Sequence, residues 1–512
     1  MIKFMMNSIG IIKVIPGGLH SVLAFSFAQL CHSLEAVKRE RRENKVQSMI
    51  KLSLKRRNKN GEADGAGMDM LNGSLLDKII LFALPLALGS ILQQLFNAVD
   101  IAVVGRFASS EALAAVGANS SLVMLILGLF LGLSVGSNVV IARYLGEGRE
   151  DRISNAVHTS MTLSLISGII LLFIGQLVAR PMLALMATPE NIMDLAVLYL
   201  RIYSLGMPFI MIYNFGAAIL RSFGDTRRPL MCLIISGVLN AVLNVFFVVV
   251  LHMSVSGVAI ATVTANGVSA AMVVYFLIKE KGPVRLEPGK LGIHREDLMR
   301  IVMIGLPAGL QSMVFSFSNV FIQSAINGFG SYAVAGNSVA VNFEFIAYFM
   351  INGFNQAAVT FTSQNYGAGK KDRCLRILFI CLACAAVANV CLAAFFYLGK
   401  GFILPLFTTD QEVIDYAVIR MSCVLLFQWT AASYEVGGSA LRGYGYSMVP
   451  AVLTVFGTCL LRIVWIHTVA VYFKTFASLL ACYPFSWLVT GTLVLAAYGI
   501  IWRKRILPSS EV

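Results

Sequence analysis

Along most of this chain apolar residues run for stretches far longer than the stripe of a soluble helix. An α-helix needs about 20 apolar residues to cross a bilayer, and from residue 75 onward twelve stretches approach or exceed that length. They cover roughly 79–104, 113–141, 154–178, 194–220, 230–251 and 255–278, then 301–326, 333–362, 374–398, 412–441, 449–472 and 476–502. The pattern predicts an all-α, polytopic membrane protein with twelve transmembrane helices. Residues 279–300, between the sixth span and the seventh, form a charged stretch with Pro283 and Pro288.

The polar interruptions matter as much as the apolar runs. Residues 85–105 read PLALGSILQQLFNAVDIAVVG, and Gln93, Asn97 and Asp100 fall at i, i+4 and i+7 on one helix face. A carboxylate at the centre of a membrane helix costs about 2.5–3.5 kcal/mol on insertion scales. That face should therefore meet protein or a water-filled path, not lipid. Asp100 reads as a protonatable or cation-binding group inside a transporter; the alternative is a solvated position at the membrane surface, paired with Arg106. Pro85 removes a backbone hydrogen bond near the start of the first span, a place where a helix can bend, and Pro307 stands at the corresponding place in the seventh.

The two halves repeat each other. Displaced by 221 positions, GEGREDR at 146–152 meets GAGKKDR at 367–373, and LMATPENIMDLAV at 185–197 meets LFTTDQEVIDYAV at 406–418. LRSFGDTRRP at 220–229 likewise meets LRGYGYSMVP at 441–450, and Gly132 meets Gly353. An even number of spans per unit begins and ends on one side. The units must then be two six-helix bundles related by a pseudo-twofold axis along the membrane normal, with a cleft between them. The division expected is a tail over 1–74, a first lobe over 75–280, a linker over 281–297, a second lobe over 298–505 and a short tail over 506–512.

Composition agrees with this reading: 58% of residues are hydrophobic and 13% charged, against about 25% charged in a soluble domain. The net charge of +14 is read as topology and not as a footprint for nucleic acid. Arg143, Arg149 and Arg152, then Arg221, Arg227 and Arg228, the six Lys and Arg of residues 279–300, Lys370, Lys371, Arg373 and Arg376, and finally Arg503, Lys504 and Arg505 all fall on one side. Only Arg106, Arg180, Lys400 and Lys474 fall on the other. Both termini are thus expected in the cytoplasm of a multi-pass cell-membrane protein.

Residues 1–74 are unlike the rest of the chain. Residues 14–34 make a poor span and 38–59 a basic run, so the stretch is either a cytoplasmic tail or sequence upstream of a start at Met68 or Met70. Cys374, Cys381, Cys384 and Cys391 share one helix face, as small apolar residues commonly do, and no metal is expected there. GAGKK at 367–371 departs from a phosphate loop at Gln364 and Lys371, which disfavours an ATP-driven pump, and no soluble catalytic domain is visible. An enzyme is not expected.

Three motifs together carry a resemblance. The loop LRSFGDTRRP at 220–229, the combination of Pro85, Asp100 and Gly105 in the first span, and SQNYGAG at 363–369 make residues 75–505 similar to the multidrug and toxic-compound extrusion (MATE) family. The resemblance implies a V-shaped pair of lobes that exports small organic compounds, often cations, against inflow of protons or sodium. It places the cation or proton site at Asp100, at Asn240 in the fifth span and at Thr262 near the start of the sixth. Asn244 stands where some members carry a second carboxylate. One carboxylate and three neutral oxygens still suit a hard cation. With a single negative charge, however, sodium should bind less well, whereas a lone carboxylate held away from water can load and release a proton. Protons are favoured over sodium. The plainer alternatives are that Asn240 and Asn244 bond neighbouring helices and that Thr262 bonds its own backbone.

The second half has no acid opposite Asp100; Ser312, Ser316, Asn319 and Gln323 share that face of the seventh span. Its carboxylates are Glu344, with Tyr348 and Asn355 on the same stripe, and Glu435 in the tenth span. These residues, with Gln93, Asn97 and Asn319, are the candidates for a substrate cavity, and Arg462 is expected to neutralise one of the acids. Phe315, Phe317, Phe343, Phe345, Tyr434 and Trp429 offer stacking surface for aromatic cations or simple packing. A lipid-linked oligosaccharide flippase would want a strongly cationic cavity, which the acidic spans do not suggest. A membrane receptor or scaffold would need neither the repeat nor the polar stripes. The partners expected are organic cations or drugs and membrane lipid, with no nucleic acid and no cofactor beyond the coupling proton or sodium ion, and the chain is expected to act as a monomer.

Overall fold

The computed structural model describes residues 67–186 and 188–508; residues 1–66 of the tail expected over 1–74 lie outside them. Hydropathy fades where charges begin, but backbone hydrogen bonding continues into the polar boundary, so the helices run several residues past their apolar centres. The first half comprises α1 (Leu75–Phe107), α2 (Ser110–Glu147), α3 (Glu150–Leu185), α4 (Glu190–Leu205), α5 (Met207–Ser222), α6 (Arg227–Val250) and α7 (Val255–Lys279). The second comprises α8 (Arg295–Asn327), α9 (Ser331–Gly367), α10 (Lys371–Leu398), α11 (Gln411–Gly443), α12 (Met448–Phe473) and α13 (Phe476–Ile506). Helices α4 and α5 form one span bent by 46°, broken at Gly206 ahead of Pro208, whose missing N–H opens the ladder there. Counting that pair once, the described residues hold twelve spans long and apolar enough to cross a membrane, and the protein is multi-pass.

Among the described residues, four spans depart from regular α geometry. Helix α11 tightens to a 3-10 turn over Leu425–Thr430, and α6, α12 and α13 widen to π turns over Phe246–Val250, Val455–Leu460 and Trp502–Ile506. Pro85 and Pro307 lie inside α1 and α8, which continue through them as single helices.

The sequence repeat is a structural repeat. Gly148 and Gly369, just past α2 and α9, have φ of 68° and 71°, and Gly224 and Gly445, ahead of α6 and α12, have φ of 95° and 93°. Each pair is 221 positions apart, and a side chain at these φ values would be strained. At the first of the latter turns the Asp225 carboxylate accepts from the backbone N–H of Arg227 and Arg228 at 3.0 and 3.1 Å, capping α6.

Helices of each half pack mainly on one another, and the halves meet along α1, α2, α8 and α9. Glycines set the approach. A Cβ on Gly132 would stand 2.3 Å from the Gly309 nitrogen, and one on Gly353 would stand 2.6 Å from the Ala83 oxygen. Around the centre, a Cβ on Gly146 would meet the Gln364 oxygen at 2.0 Å and one on Gly367 the Arg143 oxygen at 2.2 Å. Gly146 with Gly367, and Arg143 with Gln364, are themselves repeat mates. Such reciprocal contacts are what a twofold axis between α2 and α9 requires. Across it the Thr360 hydroxyl donates to Asn138 Oδ1 at 2.9 Å and the Ser363 hydroxyl to the Val139 carbonyl at 2.6 Å.

These approaches cluster at the end of the molecule that holds the linker and the start of α1. Toward the other end of α2 they lapse after Gly128, and Met124 is 68% exposed. Residues 67–73 are fastened at the closed end. Met70 is buried, its carbonyl accepts from Asn365 at 3.1 Å, Leu71 accepts from Lys370 at 3.0 Å, and Gly73 accepts from Arg373 at 3.0 Å.

Candidate functional site

Two polar regions lie within the helices, one in each half. The first is built where α1 lies close against α6. A Cβ on Gly237 would fall 1.9 Å from the Phe96 ring, and one on Gly89 would touch Leu233 at 3.3 Å, so the two glycines hold the helices near enough for Asp100 to reach Asn244. Asn244 Nδ2 donates to Asp100 Oδ1 and also to Asn240 Oδ1 at 3.3 Å. Asn240 Nδ2 donates in turn to the Thr262 hydroxyl at 3.3 Å, which donates to the Val258 carbonyl at 2.9 Å. The four residues are thus joined in one chain of hydrogen bonds across α1, α6 and α7. The two alternatives hold within it: the asparagines tie helices together and Thr262 bonds its own backbone. Asn244 Oδ1 is buried and accepts no hydrogen bond from the protein, which is costly for a carbonyl oxygen. Gln93 and Asn97 are both exposed, and the α1 residue that lines the larger cavity is Gln94.

The second region, mostly in the second half, is a cavity of about 740 Å³ among α1, α2, α8, α9, α11, α12 and α13, lined by Asn319, Glu344, Tyr348 and Glu435 among others. Glu344 is held by a two-pronged ion pair with Arg420, Nε to Oε1 and Nη2 to Oε2, both at 2.7 Å. Arg420 Nη1 also donates to Asn337 Oδ1 at 2.5 Å. Glu435 accepts from the Tyr348 hydroxyl at 3.3 Å and from Asn355 Nδ2 at 3.0 Å. Asn355 Oδ1 accepts from Ser439, whose oxygen accepts from Arg442 Nη1 at 3.2 Å, and Arg442 Nη2 reaches Gln311 Oε1 at 2.5 Å.

One expectation changes here. Arg462 of α12 neutralises neither acid; the cation on Glu344 is Arg420 of α11. Tyr348 and Asn355, on the same stripe as Glu344, reach across to Glu435. Arg420 and Arg442 were the residues missed from sequence, although both carried a signal. An arginine within an apolar span demands a partner by the same argument that singles out Asp100, and Arg442 is the repeat mate of Arg221. Of the aromatic candidates, Phe315, Phe345 and Tyr434 line the cavity. Phe343 is buried against Phe396 and Phe407, and Phe317 and Trp429 are exposed. Among the described residues no group of three or more His, Cys, Asp or Glu side chains could hold a metal.

Comparison with known proteins gives consistent results. The MatE family model matches residues 85–246 and 307–466, once in each half. A probable multidrug resistance protein of Bacillus subtilis, YoeA, is 26% identical over 83% of this chain and 94% of its own length. The outward-facing conformation of a multidrug resistance MATE transporter of the MOP superfamily superposes with a TM-score of 0.81 at 23% identity, over 88% of this chain and 100% of that one. A MOP superfamily transporter from Pyrococcus furiosus, described as having a binding pocket of reverse polarity, superposes with a TM-score of 0.79 at 25% identity, over 88% and 100% of the two chains.

Proposed function

The chain belongs to the MatE family, and from that premise we propose that it is a secondary antiporter, not an enzyme, which exports organic compounds from the cytoplasm against an inflow of protons through Asp100. The observation that carries the reading is the junction of Asp100 with Asn244, Asn240 and Thr262, a membrane carboxylate tied by hydrogen bonds to two other helices of its half. Protonation of Asp100 gives it a donor. A flip of the Asn244 amide then turns the unsatisfied Oδ1 toward that donor. The same event withdraws the Nδ2 donor from Asp100, so loading one proton rewires the contact between α1 and α6. Sodium would gain from more than one negative charge among its oxygens, whereas Asp100 is the one carboxylate in this chain of hydrogen bonds.

The two sets of helices act in this reading as lobes over 75–280 and 298–505, joined by the linker and rocking about the axis between α2 and α9. With the basic loops in the cytoplasm, the closed end faces inward and the cavity of the second lobe opens outward, ready to release substrate. The mixed lining of that cavity, with Glu344 and Glu435 facing Arg420, Arg442 and Arg462, suits amphipathic compounds that carry charge.

The test is efflux of a fluorescent organic compound from vesicles under an imposed proton gradient and, separately, a sodium gradient. Export driven by protons alone is expected, and Asp100→Asn should abolish it while leaving membrane insertion intact. Full coupled export by that variant would falsify the assignment of Asp100.

A further inference from the structure

One charge in the second-half cavity is left over. Three arginines and two glutamates line the cavity. Arg420 is committed to Glu344, and Arg442 is joined through Ser439 and Asn355 to Glu435. Arg462 of α12 has no acid. It is fully buried yet lines the cavity. Its Nε donates to the Ser486 hydroxyl at 2.9 Å, while Nη1 and Nη2 have no hydrogen-bond partner. Around it stand Tyr483, Phe315 and Trp487, with ring centroids 4.4, 5.5 and 5.9 Å from the guanidinium carbon.

Aromatic faces ease the burial of a guanidinium, but they do not satisfy the N–H donors on its edge. A buried cation with free donors inside a membrane protein is expensive, and the group that relieves it is a planar oxyanion able to accept from those donors. The rings beside it offer stacking surface to the body that carries such an anion.

We propose that Arg462, with Tyr483, Trp487 and Phe315, is a subsite for the carboxylate of an aromatic substrate, so that this cavity selects aromatic zwitterions and acids over bare organic cations. The proposal rests on the cavity being the substrate chamber and specifies what enters it.

The probes are a rhodamine dye with a free benzoate and the methyl ester of the same dye, which share an aromatic cation and differ only in the anion. Binding is measured by fluorescence anisotropy on the purified full-length protein in detergent, without any ion gradient. The wild type should bind the free acid at least about tenfold more tightly than the ester, given the strength of a desolvated charge pair. Arg462→Gln should remove that preference by weakening the free acid far more than the ester, and Arg462→Lys should keep part of it. The wild-type comparison stands even if the variants are unstable. Equal binding of acid and ester by the wild type, or equal weakening of both by Arg462→Gln, overturns the subsite and leaves the export reading in place. A wild type that binds neither dye overturns the subsite, while the gradient-driven efflux assay judges export separately.

Discussion

A charged side chain inside a bilayer must be met by a partner or by water, and Glu344 and Arg420 meet that demand with each other through two 2.7 Å bonds. Their worth lies less in attraction than in what either would cost alone. Removing one partner of such a buried pair typically costs about 3–5 kcal/mol, whereas replacing both with apolar residues is often neutral. Arg420→Met should therefore lower the thermal stability of the purified protein sharply, and Glu344→Leu combined with Arg420→Met should recover most of the loss. A double variant as unstable as the single one would mean that the pair does more than neutralise itself. At this scale the acids were legible from sequence, because a charge in an apolar run stands out wherever it lies. Their partners were not, since Arg420 is 76 positions from Glu344 and nothing local joins them.

Helices bring these residues together, and their approach is governed by glycine. Gly309 of α8 lies so close to α2 that a Cβ there would stand 2.2 Å from the Leu129 oxygen, which is backbone and cannot turn aside. Gly309→Val must push α2 and α8 apart near the middle of both helices. Overpacking of this kind costs about 1–3 kcal/mol, so the variant should insert but melt earlier and export slowly, as melting and vesicle efflux assays would reveal. Gly132 and Gly353 were readable as repeat mates, yet the fact that each is a contact point between halves was not. The bend between α4 and α5 was equally hidden, because hydropathy runs on unbroken across Gly206 and Pro208.

At the scale of the molecule, the reciprocal contacts of α2 and α9 lie where the proposed rocking of the two lobes would need both a hinge and a gate. Arg143 lies over the Tyr366 ring at 4.8 Å across it, at a half-buried position open to reagents. In a background without native cysteines, Arg143→Cys with Tyr366→Cys should be joined by a reducible thiol crosslinker. Export should stop on crosslinking and return on reduction. Full export by the crosslinked protein would show that this end does not open during transport.

What the chain's residues determined unaided were the number of spans, their doubling into two units and the polar groups within them. A bilayer imposes length and apolarity on each crossing segment independently, and every backbone group must be satisfied within its own helix, so these features are written locally. What only tertiary structure decided was pairing: Tyr348 and Asn355 on Glu435, Arg420 on Glu344, and Arg462 left without an acid. Pairing depends on the height and rotation of each helix against its neighbours. Those are set by close contacts between segments far apart in the chain, not by the hydropathy of any one of them.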